Sequence, residues 1–303
     1  MTEPGSTRFR LGIAYDGTHF RGWAPQPGLR TVQGVLDDAL ATLLRKHGPV
    51  ASLVVAGRTD AGVHATGQVA HVDLSDGQVA ALARSRVRRS EQGPGALLAG
   101  RLTGILGSAT DVVVRHGEMA AEGFDARFSA LWRRYRYRIA DGAAERDPLQ
   151  RHRTLWHPRT LDDDAMGAAA RGMLGLRDFA AYCRPRPEST TIRTLQDFSW
   201  SRDADGVLVA EVRADAFCHS MVRSLVGACV AVGEGRLPVE RPGQLLATAG
   251  RANEFAVLPA KGLTLLEVGY PPAAELAARA EQTRARRAAL DSGAPGAEDD
   301  EDD

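Results

Sequence analysis

The sequence predicts an α+β protein made of two halves, each running β-α-β-β-α-β, the ferredoxin-like order. Three observations carry this. Short runs alternate apolar and polar residues with the period of a half-buried strand. Amphipathic stretches at 3.6-residue spacing separate them. The same order of elements is met twice along 303 residues, enough for two modest domains and a sizeable core.

In the first half, residues 8–15 place Phe9, Leu11, Ile13 and Tyr15 on one face of a strand. Thr31 can cap a helix whose Val32, Val35, Leu36, Ala39, Leu40, Leu43 and Leu44 share one side, and Gly48 can end it. Residues 52–56 (S-L-V-V-A) read as a buried strand, and 68–74 as a half-buried one. A helix over 77–89 and a strand over 112–115 complete this half. The second half has a strand at 131–140 and a helix at 161–174 opened by Asp162, Asp163 and Asp164. Strands at 192–200 and 207–213 flank the turn D-A-D-G at 203–206. A helix at 219–232 and a strand at 263–270 close it. Residues 90–100, rich in Gly and Ala with a Pro, read as a loop insertion. The expected division is an N-terminal domain over 1–118, a C-terminal domain over 124–272 and a charged tail over 273–303 whose last dozen residues are disordered.

Composition is that of an ordinary globular protein, 44% hydrophobic and 25% charged. The zero net charge hides an asymmetry: residues 291–303 hold seven acids and no base, so the body carries +7. Lys46 and Lys261 are the only lysines, so the positive charge is almost all guanidinium, the better phosphate fork. Arg84, Arg86, Arg88 and Arg89 form one cluster; Arg133, Arg134, Arg136 and Arg138, interleaved with Tyr135 and Tyr137, form another. Such a surface suits RNA, and an Arg-rich solvated face reads equally well. No 18-residue apolar run is present, so no membrane span is expected, and residues 1–10 lack the apolar core of a signal peptide. Cys183, Cys218 and Cys229 show no metal spacing and cannot pair evenly, which fits a reduced, cytoplasmic setting. His64 and His71 lack a third ligand at recognisable spacing, so no metal is expected. No G-x-x-x-x-G-K loop supports ATP use.

The stretch A-G-R-T-D-A-G-V-H-A-T-G-Q at 56–68 sets one carboxylate, Asp60, in a glycine-bracketed loop between two strands that can aim it. Arg58, two residues away, is close enough to favour an ionised carboxylate, which suits a nucleophile or a base. D-A-G alone is ordinary turn chemistry; the length of the pattern distinguishes it.

The run G-R-T-D-A-G-V-H-x-x-G-Q-V at 57–69 resembles the signature of the tRNA pseudouridine synthase A family. Four further blocks resemble it in the right order: L-G-I-A-Y-D-G-T with F-R-G-W and T-V-Q-G-V-L over 11–36, F-D-A-R-F-S-A with R-R-Y-R-Y over 124–137, F-C-H-S-M-V-R-S-L-V-G over 217–227, and A-K-G-L-T-L over 260–265. The A-P-Q-P-G segment at 24–28 is richer in proline than the family pattern. The resemblance implies two sheets side by side with the active site in a central cleft, the pseudouridine synthase fold. It implies isomerisation of uridine to pseudouridine at positions 38 to 40 of the tRNA anticodon stem-loop, by a homodimer without a cofactor.

By the same resemblance Asp60 is the catalytic carboxylate and Tyr135 the active-site tyrosine, which can stack on uracil and relay a proton. Tyr135 also alternates with Tyr137 and Ile139, so a core position fits its spacing as well. Arg223 stands in an otherwise apolar helix, where a charge is costly unless paired; the resemblance pairs it with Asp60, and a rim position with its head in water is the alternative. Arg58 orients Asp60, holds a phosphate or closes a salt bridge elsewhere. Leu263 walls the uracil or is an ordinary core leucine. Two other functions share this composition: a non-catalytic RNA binder on the same scaffold, and an assembly protein without RNA affinity.

Overall fold

A computed structural model describes residues 5–83, 93–108, 110–184, 190–248 and 250–291. The strands are β1 Ser6–Tyr15, β2 Val54–Val55, β3 His64–Ser75, β4 Val112–Met119, β5 Trp132–Ala140, β6 Leu155–Trp156, β7 Gly175–Asp178, β8 Ile192–Arg202, β9 Leu208–Ala214 and β10 Leu263–Gly269. The helices are α1 Val32–Leu44, α2 Asp76–Ala83, α3 Pro94–Leu106, α4 Asp163–Arg171, α5 Met221–Gly233, α6 Arg241–Gln244 and α7 Leu276–Asp291. Helix starts follow from their caps: the Gly34 amide donates to Thr31 Oγ1 and the Ala165 amide to Asp162 Oδ1.

The strands form one sheet in the order β4-β1-β3-β10-β5-β9-β8-β7, with β2 on β3 and β6 on β5. Within each half the four main strands lie fourth, first, third, second, every neighbouring pair antiparallel. Both halves thus have the ferredoxin-like arrangement. The halves meet where β10 runs parallel to β3, Thr264 beside His64 and Leu265 beside Ala65. Gly67 permits the approach, since a Cβ there would stand 2.0 Å from the Leu266 carbonyl oxygen.

Two hydrophobic cores result. One gathers Phe9, Leu11, Trp23, Leu36, Leu40, Leu74 and Leu102; the other gathers Tyr137, Phe179, Phe198 and the apolar residues of α5. Tyr135 packs against both.

Residues 90–100 correct the sequence reading. From Pro94 onward they belong to α3, which extends to Leu106 and buries Leu98, Ala99 and Leu102 at helical spacing. The Gly and Pro that read as a loop have helical uses: Gly93 caps the helix, Pro94 starts it, and a Cβ on Gly95 would meet Glu118 Cα at 2.4 Å. The helix expected over 77–89 is described only as α2; its later residues, with Arg84, Arg86, Arg88 and Arg89, lie outside the described residues, as does the end of the acidic tail. The helical part of the C-terminus is α7. Its Leu276 carbonyl accepts from Ser129 Oγ, and its Arg284 pairs with Asp125 at 2.7 Å.

Candidate active site

The Asp60 loop is held from below and from one side. Below it, buried Tyr15 and Thr59 share a hydroxyl hydrogen bond of 2.8 Å, and buried Gln68 donates to the Gly57 carbonyl at 2.9 Å. Burial pushes the Tyr15 phenol up to about 12, so it is neutral under this loop. Beside it, the Trp23 amide donates to the Thr59 carbonyl and the Gly62 amide to that of Phe20. Gly22 and Gly62, at φ +95° and +80°, supply the left-handed turns these approaches require.

The second half completes the site. Arg223 on α5 donates through Nη2 to Asp60 Oδ2 at 2.9 Å and to Ser220 Oγ at 2.8 Å, and through Nη1 to the Leu258 carbonyl at 3.3 Å. His219 brings Nε2 to 3.5 Å from Asp60 Oδ1. The carboxylate therefore has one oxygen engaged by a guanidinium and the other turned toward an imidazole, while its side chain stays 31% exposed. Every residue of α5 except Arg223 is buried, so the helix is a fixed mount for this one charge.

Tyr135 lies on the sheet face shared by Tyr137 and Ile139, yet only the latter two are fully buried. Its ring meets Phe217 edge-on, with centroids 5.1 Å apart. Burial raises its phenol well above the ordinary tyrosine range, which keeps the hydroxyl protonated. Arg133, on the same face, donates to the carbonyls of Asp215 at 2.7 Å and Ala56 at 2.9 Å. It thereby ties the strand entering the Asp60 loop to the segment entering His219.

Leu263 is buried in the C-terminal core in register with Tyr137. Arg58 is exposed and is not the ion partner of Asp60; that place is taken by Arg223. Arg134, Arg136 and Arg138 point to the opposite sheet face by strand alternation, and they pair with Glu211, Glu267 and Asp203. This part of the expected basic surface is charge-compensated. His64 accepts from the Gly17 amide through Nδ1 at 3.1 Å, and its Nε2 is 3.1 Å from the Lys261 carbonyl, the contact of a neutral ring protonated on Nε2. His71 accepts from the Ala126 amide. Among the described residues no group of three His, Cys, Asp or Glu is arranged to hold a metal.

Two of the three cysteines depart from the reduced state expected: Cys183 and Cys218 form a disulfide, and Cys229 is free and buried. The bridge anchors the residue preceding His219. Neither His219 nor Arg133 stands out as a site residue in the sequence. The signal for His219 was its place in the same block as Arg223; Arg133 carried none beyond its cluster.

A family model described as tRNA pseudouridine synthase matches residues 12–96 and 169–271. The chain is 64% identical over 290 residues to a protein named tRNA pseudouridine synthase A from Leifsonia xyli subsp. xyli, covering 95% of this chain and 99% of that one. It is 52% identical to the protein of that name from Streptomyces griseus subsp. griseus, over 94% of this chain and 95% of that one. The one from Mycobacterium leprae is 50% identical over 96% of this chain and all of its own length.

Proposed function

We propose, for a chain that belongs to the tRNA pseudouridine synthase family, that it isomerises uridines at positions 38 to 40 of the tRNA anticodon stem-loop, with Asp60 as the catalytic carboxylate. The reaction breaks the bond from ribose C1′ to uracil N1, turns the base, joins C5 to C1′ and moves the C5 proton. Every atom of the substrate is kept and no net oxidation occurs, so the chemistry asks for no redox partner. It asks for a carboxylate beside C1′, a pocket that retains the loose uracil and groups that move a proton.

The observation that carries this reading is Asp60 held across the junction of the two halves by Arg223. With Oδ2 anchored, Oδ1 presents a fixed lone pair to a sugar placed in the cleft, and such preorganised charge is the main source of transition-state stabilisation in enzymes. Tyr135, kept neutral by burial, stacks on the extruded uracil and donates its hydroxyl hydrogen bond. Its protonated state argues against this phenol as the base that removes the C5 proton. Leu263, buried in register with Tyr137 on the neighbouring strand, is the residue this reading assigns to the wall of the uracil pocket. Exposed Arg58 is free to take a phosphate of the RNA.

The division into an N-terminal unit over 1–118 and a C-terminal unit over 124–272 fits this reading, because each supplies one member of the Asp60–Arg223 pair. A homodimer suits a substrate as long as tRNA, since one subunit can hold the body of the RNA while the other modifies the loop. Among the described residues no helix is long and apolar enough to cross a membrane, and a tRNA substrate fits a cytoplasmic enzyme. The reading is tested by incubating unmodified tRNA with the protein and mapping pseudouridine by carbodiimide adducts and primer extension. Stops one nucleotide 3′ of positions 38 to 40 are expected with wild type and not with Asp60→Asn, which still binds the tRNA. Pseudouridine confined to another arm would overturn the assignment of positions.

A further inference from the structure

We infer that His219 is the proton carrier of the isomerisation, giving a proton to the departing uracil and then taking the proton from its C5. The inference rests on the proposed function and adds a catalytic residue to it. The two oxygens of Asp60 have different neighbours. Arg223 occupies Oδ2, and the imidazole Nε2 of His219 stands 3.5 Å from Oδ1, the oxygen left to meet the sugar. A group in that position is adjacent to whatever bond the carboxylate attacks.

The backbone around His219 is pinned on both sides. Cys218 is bridged to Cys183, and the His219 carbonyl accepts from the Arg184 amide at 3.0 Å. Ser220 has φ +66°, the only non-glycine residue at positive φ among the described residues. That turn sets His219 and Arg223 on the same carboxylate, and Arg223 Nη2 holds the Ser220 hydroxyl at 2.8 Å. The side chain of His219 is 18% exposed, shielded from bulk water without being sealed off.

The neighbouring groups leave the proton work to it. Tyr135 and Tyr15 are held as neutral phenols by burial, and a guanidinium such as Arg223 does not release its proton in a protein. An imidazole both gives and accepts a proton near neutrality. In the imidazolium form its Nε2–H faces Asp60 Oδ1, the favourable pairing of charges. When the C1′–N1 bond breaks, its electron pair leaves with uracil and the Nε2 proton passes to that anion, giving neutral uracil and neutral imidazole. After the base turns, C5 forms its bond to C1′ and carries two substituents, C1′ and H. The freed Nε2 takes that H, the C5–C6 double bond is restored, and the imidazolium is regenerated. The net result is one proton moved from C5 to N1, with no outside reagent.

The test compares single turnover on tRNA carrying 5-¹H or 5-²H uridine, with wild type, His219→Gln and His219→Asn, after tRNA binding has been measured for each. Both amides retain a donor beside Asp60 and neither carries a proton between atoms. The expected result is a rate lowered about 100-fold or more, the usual worth of a general acid–base group, with tRNA affinity retained. The isotope effect of 5-²H should grow over that of wild type, because C5 deprotonation has become slow; a merely structural role would leave it unchanged. A rate within about threefold of wild type, or a lowered rate with the wild-type isotope effect, would overturn the inference. Wild type that binds tRNA and isomerises nothing would overturn the proposed function and this inference with it.

Discussion

Arg223 shows how one side chain connects distant parts of this chain: it bonds Asp60, Ser220 and the Leu258 carbonyl at once. A lysine keeps the charge but presents a point rather than a fork. Arg223→Lys is therefore expected to lower kcat about 10- to 100-fold with a smaller change in KM, measured by steady-state kinetics on tRNA. The need for a partner was legible from a charge in an otherwise apolar helix; the geometry of the pair was not, because Asp60 is 163 residues away. Arg58, only two residues away in sequence, does not pair with Asp60. His71 makes a separate prediction. Burial, which disfavours the charged ring, pushes its imidazole down to about 4 from an ordinary value of 6.5. Between those values the unfolded chain binds more protons than the folded one, so the stability tied to a neutral His71 is complete above pH 6.5 and is lost as pH falls toward 4. The full difference is about 3 kcal/mol. His71→Asn keeps an acceptor for the Ala126 amide without titrating there. Urea unfolding from pH 7 to 4.5 is expected to show a shallower loss of stability in the variant, and equal slopes would contradict the account.

At the scale of elements, period and caps were the reliable signals. α1 was legible from Thr31 and its apolar stripe, and β1 from strict alternation. α3 was not, because its first turn is G-P-G and that composition reads as a loop until the β4 backbone it packs on is known. The close approach makes a test. Gly95→Ala adds a better helix former but places a methyl against Glu118 Cα, so a loss of about 1–3 kcal/mol is expected in chemical denaturation. Gly104, where a Cβ would meet nothing within 4 Å, is the control: Gly104→Ala should stabilise α3 by about 0.5–1 kcal/mol. β6, β7 and α6 escaped the sequence reading because two to four residues are too short to show a period.

On the scale of the molecule, the repeated β-α-β-β-α-β order was legible, and so was the joining of two sheets at their edges. The register of the junction was not, since it depends on Gly67 sliding under Leu266. A Gly67→Ala substitution should strain the β3–β10 seam and lower activity and stability together, whereas Gly28→Ala, in an exposed loop away from the seam, should leave turnover near wild type at a small cost in loop strain. The charge pattern of the whole chain was the least legible feature. Arginines adjacent in sequence alternate across the sheet, and three of them meet carboxylates on the face away from Asp60. Above all, the candidate site is a product of assembly: Asp60 comes from the first half, and Arg223, His219 and Tyr135 from the second. The most direct measurement of that claim is tritium release under single-turnover conditions from tRNA carrying 5-³H uridine, for wild type and for Asp60→Asn at equal tRNA occupancy. The account predicts release by wild type and none above background by the variant. Release by Asp60→Asn at a rate near that of wild type would contradict it.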